Sequence, residues 1–321
     1  MLRALICGVG GQDGAYLAQF LLEKGYEVWG TSRDAQAASF SNLAKLGIVS
    51  RIHKISMAPN DFRSVLSAIS QCNPDEIYNL SGQTSVGLSF EQPVEALESI
   101  ATGTLNILEA IRFLGGAIRF YSAGSSECFG DVGSIPANEN TRLQPCSPYA
   151  IAKSTSYWLV ENYRVAYGIY AATGLLFNHE SPLRPTHFVT QKIIKAVVRI
   201  AGGSEEKLIL GNLDVQRDWG WAPEYVEAMW KMLQLSSAQD FVISTGQSHS
   251  LKEFVESAFL CLGLDWSKYV EIDSKLFRPN EIAFSCGDSL KAEVLLSWRA
   301  THKMKDVVSM MIKAELEDFK G

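Results

Sequence analysis

The stretch "GVGGQDG" at residues 8–14 follows the apolar run "ALIC" at 4–7 and leads into "AYLAQFLLEKG" at 15–25. Four apolar residues closed by glycine predict a buried strand, and Tyr16, Leu17, Phe20, Leu21 and Leu22 recur at helical spacing. The glycines therefore span a strand-to-helix turn. Such a turn presents unpaired backbone N–H groups at the positive end of a helix dipole, where side chains would obstruct an arriving pyrophosphate. Gly8 permits the tight turn, Gly11 lets phosphate reach the backbone, and Gly14 lets the helix pack on the strand. Gln12 and Asp13 stand in the same turn and join the candidate cofactor-binding set, to which Arg33, Tyr149 and Lys153 further along the chain also belong.

Outward from this turn, strand-like runs alternate with helical patterns: "ALIC", 14–24, "EVWGT", 61–71, "EIYNL", about 99–114, "IRFYSA", 147–166 and "YAATGLLF". That alternation predicts a parallel sheet with helices on both faces and right-handed crossovers, a doubly wound fold. After Phe177 it fades into the loop "NHESPLRPTH". A helix near 188–200, a short strand at "KLILG" and helices near 224–235, 250–263, 290–296 and 304–318 follow. The expectation is a dinucleotide-binding domain over 1–177 and a smaller mixed α/β substrate domain over 178–321. The boundary is soft, and segments are free to cross it.

The chain has 321 residues, 47% of them hydrophobic, enough for one large or two moderate domains. A net charge of −6 and the absence of a basic run argue against nucleic-acid and acidic-membrane partners, so a bound anion must be held by a local pocket. Cys7, Cys72, Cys128, Cys146, Cys261 and Cys286 show neither disulfide nor metal spacing, which predicts a reducing, cytoplasmic setting and no metal. No signal-peptide pattern and no long apolar span is present, so the expectation is a soluble protein.

"SPYAIAKS" places Tyr149 and Lys153 four residues apart, hence on one face of a helix. An ammonium there favours phenolate and turns an inert hydroxyl into a base or acid for a substrate alcohol. "YSAGSSECFG" at 121–130 carries Ser125, Ser126 and Glu127 at the C-terminal edge of a predicted strand. A hydroxyl there can hold the substrate oxygen beside the tyrosine, and Glu127 offers a carboxylate for a second proton transfer.

With these elements in matching order, and with G-x-x-G-x-x-G spacing at the first turn, the chain resembles the extended short-chain dehydrogenase/reductases. Within them it is similar to the GDP-mannose 4,6-dehydratases. The stretches that carry this are "GVGGQDGAYLAQFLLEKGYEV", "EIYNLSGQTSV", "SPYAIAKS", "LLFNHESPLR", "FVTQKI", "LGNLDVQRDWGWAPEYVEAMW", "ISTGQ" and "FRPNE". The resemblance implies a Rossmann-type fold and a catalytic set of Ser125, Glu127, Tyr149 and Lys153. Ser125 stands where the family usually has threonine, which keeps the hydroxyl. It implies a redox-neutral conversion of GDP-mannose to GDP-4-keto-6-deoxymannose, with hydride leaving C4 and returning to C6 around an elimination of water.

The resemblance further implies Asn178, Glu180, Lys192, Arg217, Arg278 and Glu281 as substrate-binding residues, the two arginines clamping a diphosphate. Gln191 replaces a basic residue common in the family, and Ala58 and Ile100 replace polar ones. His179 and His187 read as hydrogen-bonding loop residues. At the end of "EVWGTSRD", Ser32 fills the slot where NAD enzymes place an acid, and Arg33 next to it suits a 2′-phosphate, so NADP is expected. The alternative is that Asp34 holds an NAD ribose. A homodimer or homotetramer is implied, because "SRDAQAASFSN" at 32–42 resembles a loop that meets a neighbouring subunit's cofactor site. Two rival readings keep the fold: a GDP-4-keto-6-deoxymannose reductase, and a noncatalytic NADP-binding protein.

Overall fold

The computed structural model describes residues 1–278 and 280–320. The first part of the chain runs β1 (Arg3–Cys7), α1 (Gln12–Glu23), β2 (Glu27–Ser32), α2 (Ser41–Lys45), β3 (His53–Ser56), α3 (Phe62–Cys72), β4 (Glu76–Asn79), α4 (Val86–Glu91), α5 (Pro93–Leu97), α6 (Gly103–Leu114), β5 (Arg119–Ala123), α7 (Pro148–Tyr167) and β6 (Ala171–Leu176). Then follow β7 (Asn178–Glu180), α8 (Val189–Ala201), β8 (Leu208–Leu210), β9 (Gln216–Trp221), α9 (Ala222–Gln234), β10 (Phe241–Ile243), β11 (Ser248–Ser250), α10 (Leu251–Leu260), β12 (Val270–Ile272), α11 (Leu290–Leu296) and α12 (Met304–Lys320).

Seven strands form one sheet in the order β10-β6-β5-β4-β1-β2-β3, and every pair in it is parallel. Both faces of the inner strands are covered, so β1 and β6 read as largely apolar runs, whereas the edge strand β3 buries only Ile55. Side chains nevertheless leave β1 alternately: Ala4 and Ile6 join the core under α1 and α9, whereas Leu5 and Cys7 join the core under α3 and α6. Strand order reverses between β1 and β4, which opens a crevice at their C-terminal ends. The glycine turn sits at that crevice. Gly8 has φ of +86°, and a Cβ at Gly14 would lie 2.4 Å from the Gly8 carbonyl oxygen, so both positions exclude side chains for stated geometric reasons.

The remaining strands make a three-stranded sheet, β11-β9-β7, and the pair β12-β8. With α8, α10 and α12 they enclose a second core containing Ile193, Val197, Phe254 and Val307. The sequence reading is incomplete in two places. Its helix over 99–114 begins as a π-helical turn at Glu98–Thr102 before α6, with α4 and α5 unread ahead of it. The short strands β3, β7, β10, β11 and β12 carry too few residues for a visible period, and the six residues of β9, QRDWGW, mix charged and aromatic side chains without a strand signature. Among these, β10 lies beyond residue 177 yet hydrogen-bonds to β6 and completes the main sheet, and α9 packs on α1.

Candidate active site

A cleft of ≈ 440 Å³ lies over the C-terminal ends of β4, β5 and β6, roofed by the smaller lobe. The candidate catalytic side chains come from two neighbouring elements. Beyond β5, Ser125 accepts the Glu127 N–H at 3.2 Å and fixes a short 3₁₀ turn that turns Glu127 into the cleft. Ser147 caps α7 by accepting the Ala150 N–H at 3.1 Å, and Pro148 occupies the first turn, so Tyr149 and Lys153 start the helix in a fixed orientation. Lys153 Nζ donates to the Ala123 carbonyl at 2.6 Å and lies 5.8 Å from the centre of the Tyr149 ring. Ile100, one of the family departures, packs with Tyr149 and Ala152.

Burial dominates the electrostatics of this pair. It pushes the Tyr149 phenol well above its ordinary value, against a lowering hydrogen bond from Ser125. It also brings the Lys153 ammonium down to about 8. The Lys153 ammonium is aimed at the Ala123 carbonyl, and burial sets the direction of the Tyr149 shift.

All six substrate candidates, Asn178, Glu180, Lys192, Arg217, Arg278 and Glu281, line the same cleft. Arg217 is held by its Nη1 bonds to the Gln216 and Ile282 carbonyls at 2.9 and 2.8 Å. Burial lowers its pKa, with the Glu127 carboxylate of the same cleft the largest opposing influence. Glu180 is differently engaged: its carboxylate pairs with Arg184 at 3.2 Å and accepts the Thr190 hydroxyl at 2.8 Å. Lys192 Nζ donates to the Ile209 carbonyl at 2.7 Å. Gln191 is buried and does not reach the cleft wall.

Arg184 and Asn212, which sequence reasoning missed, also line the cleft. Arg184 stacks over Phe188 at 3.7 Å. It ends the quoted stretch "LLFNHESPLR", but it has no periodic partner that would mark it. His179 proves to be a strand residue of β7 rather than a loop residue, 2.8 Å from Asp13.

A second cavity of ≈ 380 Å³ adjoins the glycine turn and is lined by Gly8, Gly10, Gly11, Thr31, Ser32 and Phe40, among others. Gly11 caps α1 without any side-chain bond, which leaves the first helical N–H groups open. A glycine-lined wall facing a free helix end fits a dinucleotide pyrophosphate. Gln12 lines neither cavity: it is buried, and its amide bonds the His179 carbonyl at 3.1 Å and the Ser181 hydroxyl at 2.8 Å. Arg33 is exposed at the end of β2 and 3.5 Å from Glu95. Asp34 is engaged locally, with its Oδ1 accepting the Gln36 and Ala37 N–H groups at 2.9 and 3.1 Å.

Residues 5–311 match the family model for GDP-mannose 4,6 dehydratase. The chain belongs to the GDP-mannose 4,6-dehydratase family. It is 44% identical to GDP-mannose 4,6 dehydratase 1 of Arabidopsis thaliana, covering 98% of this chain and 90% of that one. The Homo sapiens GDP-mannose 4,6 dehydratase is 41% identical over 98% of this chain and 91% of its own. Among solved structures, a dTDP-glucose 4,6-dehydratase from Streptomyces venezuelae with NAD and TYD bound superposes with a TM-score of 0.89 at 20% identity, covering 99% of this chain and 98% of that one. A Pseudomonas aeruginosa protein complexed with NADPH gives 0.81, also at 20% identity. These neighbours establish the shared Rossmann-type architecture of this family member. Among the described residues, no helix is long and apolar enough to cross a membrane.

Proposed function

We propose that this member of the family converts GDP-mannose to GDP-4-keto-6-deoxymannose with NADP as its cofactor. The observation that carries the reading is the convergence of Ser125, Glu127, Tyr149 and Lys153 with Arg217 and Arg278 on one cleft beside the glycine turn. Gly8, Gly11 and Gly14 would hold the cofactor, which would supply the hydride acceptor and donor chemistry that a redox-neutral conversion needs. Ser125 holds the 4-oxygen, and Tyr149, acting in the phenolate form that Lys153 and a bound cationic cofactor would favour, accepts the proton of the 4-hydroxyl. The resulting ketone acidifies C5–H, so Glu127 removes that proton and delivers it to the 6-oxygen, which departs as water. C5 then takes up one proton, matching the one given to Tyr149, and acid and base return to their starting states.

Arg217 and Arg278 suit the substrate diphosphate, and Glu281 a ribose hydroxyl. Gly8, Gly11 and Gly14 form the cofactor turn. NADP is favoured over NAD because Asp34, the carboxylate that follows β2 in the chain, is committed to its own turn, whereas the Arg33 guanidinium is exposed to solvent beside Glu95. Arg33→Ala should shrink the preference, and equal calorimetric affinities for the two cofactors in the parent would reject NADP selectivity. We also propose a homodimer or homotetramer: Leu88, Val94, Leu97 and Trp158 expose apolar surface on the adjoining α4, α5 and α7. The decisive experiment incubates the purified protein with GDP-mannose and no added reductant. Mass spectrometry should show loss of one water from the sugar, and an unchanged substrate mass would defeat the reading.

A further inference from the structure

Asp13 occupies the first turn of α1, the helix end that suits an anionic pyrophosphate. A carboxylate generally stabilises a free helix N-terminus, but beside bound phosphate it becomes a like charge. The structure shows how that conflict is relieved. Asp13 Oδ2 lies 2.8 Å from His179 Nε2, and its Oδ1 accepts the Gln12 amide at 3.0 Å. The other ring nitrogen, Nδ1, lies 2.7 Å from the Phe177 carbonyl oxygen.

Both partners of the imidazole are therefore acceptors. A carbonyl cannot donate, and an ionised carboxylate cannot either, so the ring carries both protons and the pair is net neutral. His179 is 8% exposed and its face stacks on Tyr225 at 4.5 Å, which holds the ring against Asp13. The surroundings agree in direction. Burial alone would raise Asp13, but the His179 charge and hydrogen bond outweigh it, and burial would likewise lower His179 but Asp13 outweighs that. The other charged groups near the pair are Arg184, in the loop after β7, and Lys153 on α7, both cationic, while Tyr16, Tyr121 and Tyr225 are held as neutral phenols. Gln12 adds two further bonds from α1 to the His179–Ser181 segment.

We propose that His179 is a positioning residue whose imidazolium cancels the Asp13 carboxylate at the cofactor end of α1. In the same contact it ties that end to β7, which carries Asn178 and Glu180. One buried ion pair then governs cofactor affinity and aligns the substrate lobe with the cofactor turn. The inference rests on the dinucleotide reading of the glycine turn.

The test is calorimetric titration with NADP alone, without sugar nucleotide, of the parent, His179→Gln, Asp13→Asn and the double variant. Leaving Asp13 uncompensated in His179→Gln should weaken NADP roughly tenfold or more, and removing both charges should restore affinity to within about threefold of the parent. A purely structural role for His179 would leave the double variant as weak as the single, and that result overturns the proposal. So does unchanged affinity in His179→Gln. If His179→Gln does not fold, Asp13→Asn decides: binding at least as tight as the parent supports the cancellation, and a tenfold loss shows that the carboxylate itself serves the cofactor. A parent that binds neither NADP nor NAD removes the dinucleotide reading and this inference together, whereas a binding parent with unaffected variants removes the inference alone.

Discussion

Tyr149 stands in the cleft as a neutral phenol, because burial raises it and Ser125 only partly compensates. If it is nonetheless the base for the 4-hydroxyl, Tyr149→Phe should lower turnover roughly 100- to 10,000-fold while NADP affinity stays close to the parent's. Retained turnover in that variant would remove Tyr149 from the chemistry. Glu127 is separable from it by isotope. Elimination must break C5–H, so product formed in heavy water should carry deuterium at C5, and Glu127→Gln should abolish both elimination and that exchange; unlabelled product, or elimination at parental rate in the variant, would exclude Glu127 as the elimination base. Lys153 yields a stability prediction of opposite sign to its catalytic one. Its folded-state value is about 8 and its ordinary value 10.5, so below pH 8 the folded protein bears the full cost of a buried ammonium. That cost is relieved as pH rises between the two values. Lys153→Met should therefore be inactive yet melt higher than the parent at neutral pH, with the gap closing toward pH 10. A lower melting midpoint at neutral pH would show that the bond to the Ala123 carbonyl outweighs desolvation.

At the scale of elements, β1, its glycine turn and α1 behave as one preformed unit. A Cβ at Gly14 would meet backbone, the Gly8 oxygen at 2.4 Å and the Val9 Cα at 2.7 Å, whereas one at Gly10 would meet nothing nearer than the Phe40 ring at 3.8 Å. Gly14→Ala should thus cost on the order of 1–3 kcal/mol or more and weaken NADP, and Gly10→Ala should be nearly neutral, as urea unfolding would measure. Equal midpoints for the two variants would contradict the packing described. This unit was legible from the sequence because its logic is local: an apolar run, glycines at spacing three and a helical period all fall within about 25 consecutive residues. The Tyr149 and Lys153 pair was legible for the same reason. Asp13 and His179 were not, since 166 residues separate them and neither shows a local pattern that names the other. Arg184 escaped likewise, and β10 was hidden because three apolar residues suit a strand or a buried helix equally.

Across the whole molecule, the segment after Phe177 is woven into the main sheet rather than appended to it. Trp230 of α9 donates to the Tyr26 hydroxyl at 3.1 Å, and Gln234 donates to the buried Glu76 of β4 at 3.0 Å. The tightest of these stitches is Asp240, at the entrance to β10. Its two carboxylate oxygens receive Arg164 Nη1 and Nη2 at 3.0 and 2.5 Å, and its Oδ1 also accepts the Thr173 N–H of β6 at 2.7 Å. Arg164 lies on α7, the helix whose first turn carries Tyr149, so this one carboxylate joins α7, β6 and the crossing strand. The pair is largely buried, with side-chain exposures of 20% for Arg164 and 10% for Asp240. Removing one partner of such a pair leaves a desolvated charge without its counter-ion, a loss of about 3–5 kcal/mol, far above that of an exposed ion pair. Asp240→Ala should therefore lower the urea midpoint by that equivalent, because Arg164 keeps only the Ala171 carbonyl and the Thr173 N–H keeps nothing. Replacing both partners, with Arg164→Leu added, should recover part of the loss because no buried charge then remains unpaired. A single variant that unfolds within about 1 kcal/mol of the parent would show that β10 is held by its backbone bonds alone. The lobes would then be joined less firmly than the Asp240 contacts indicate.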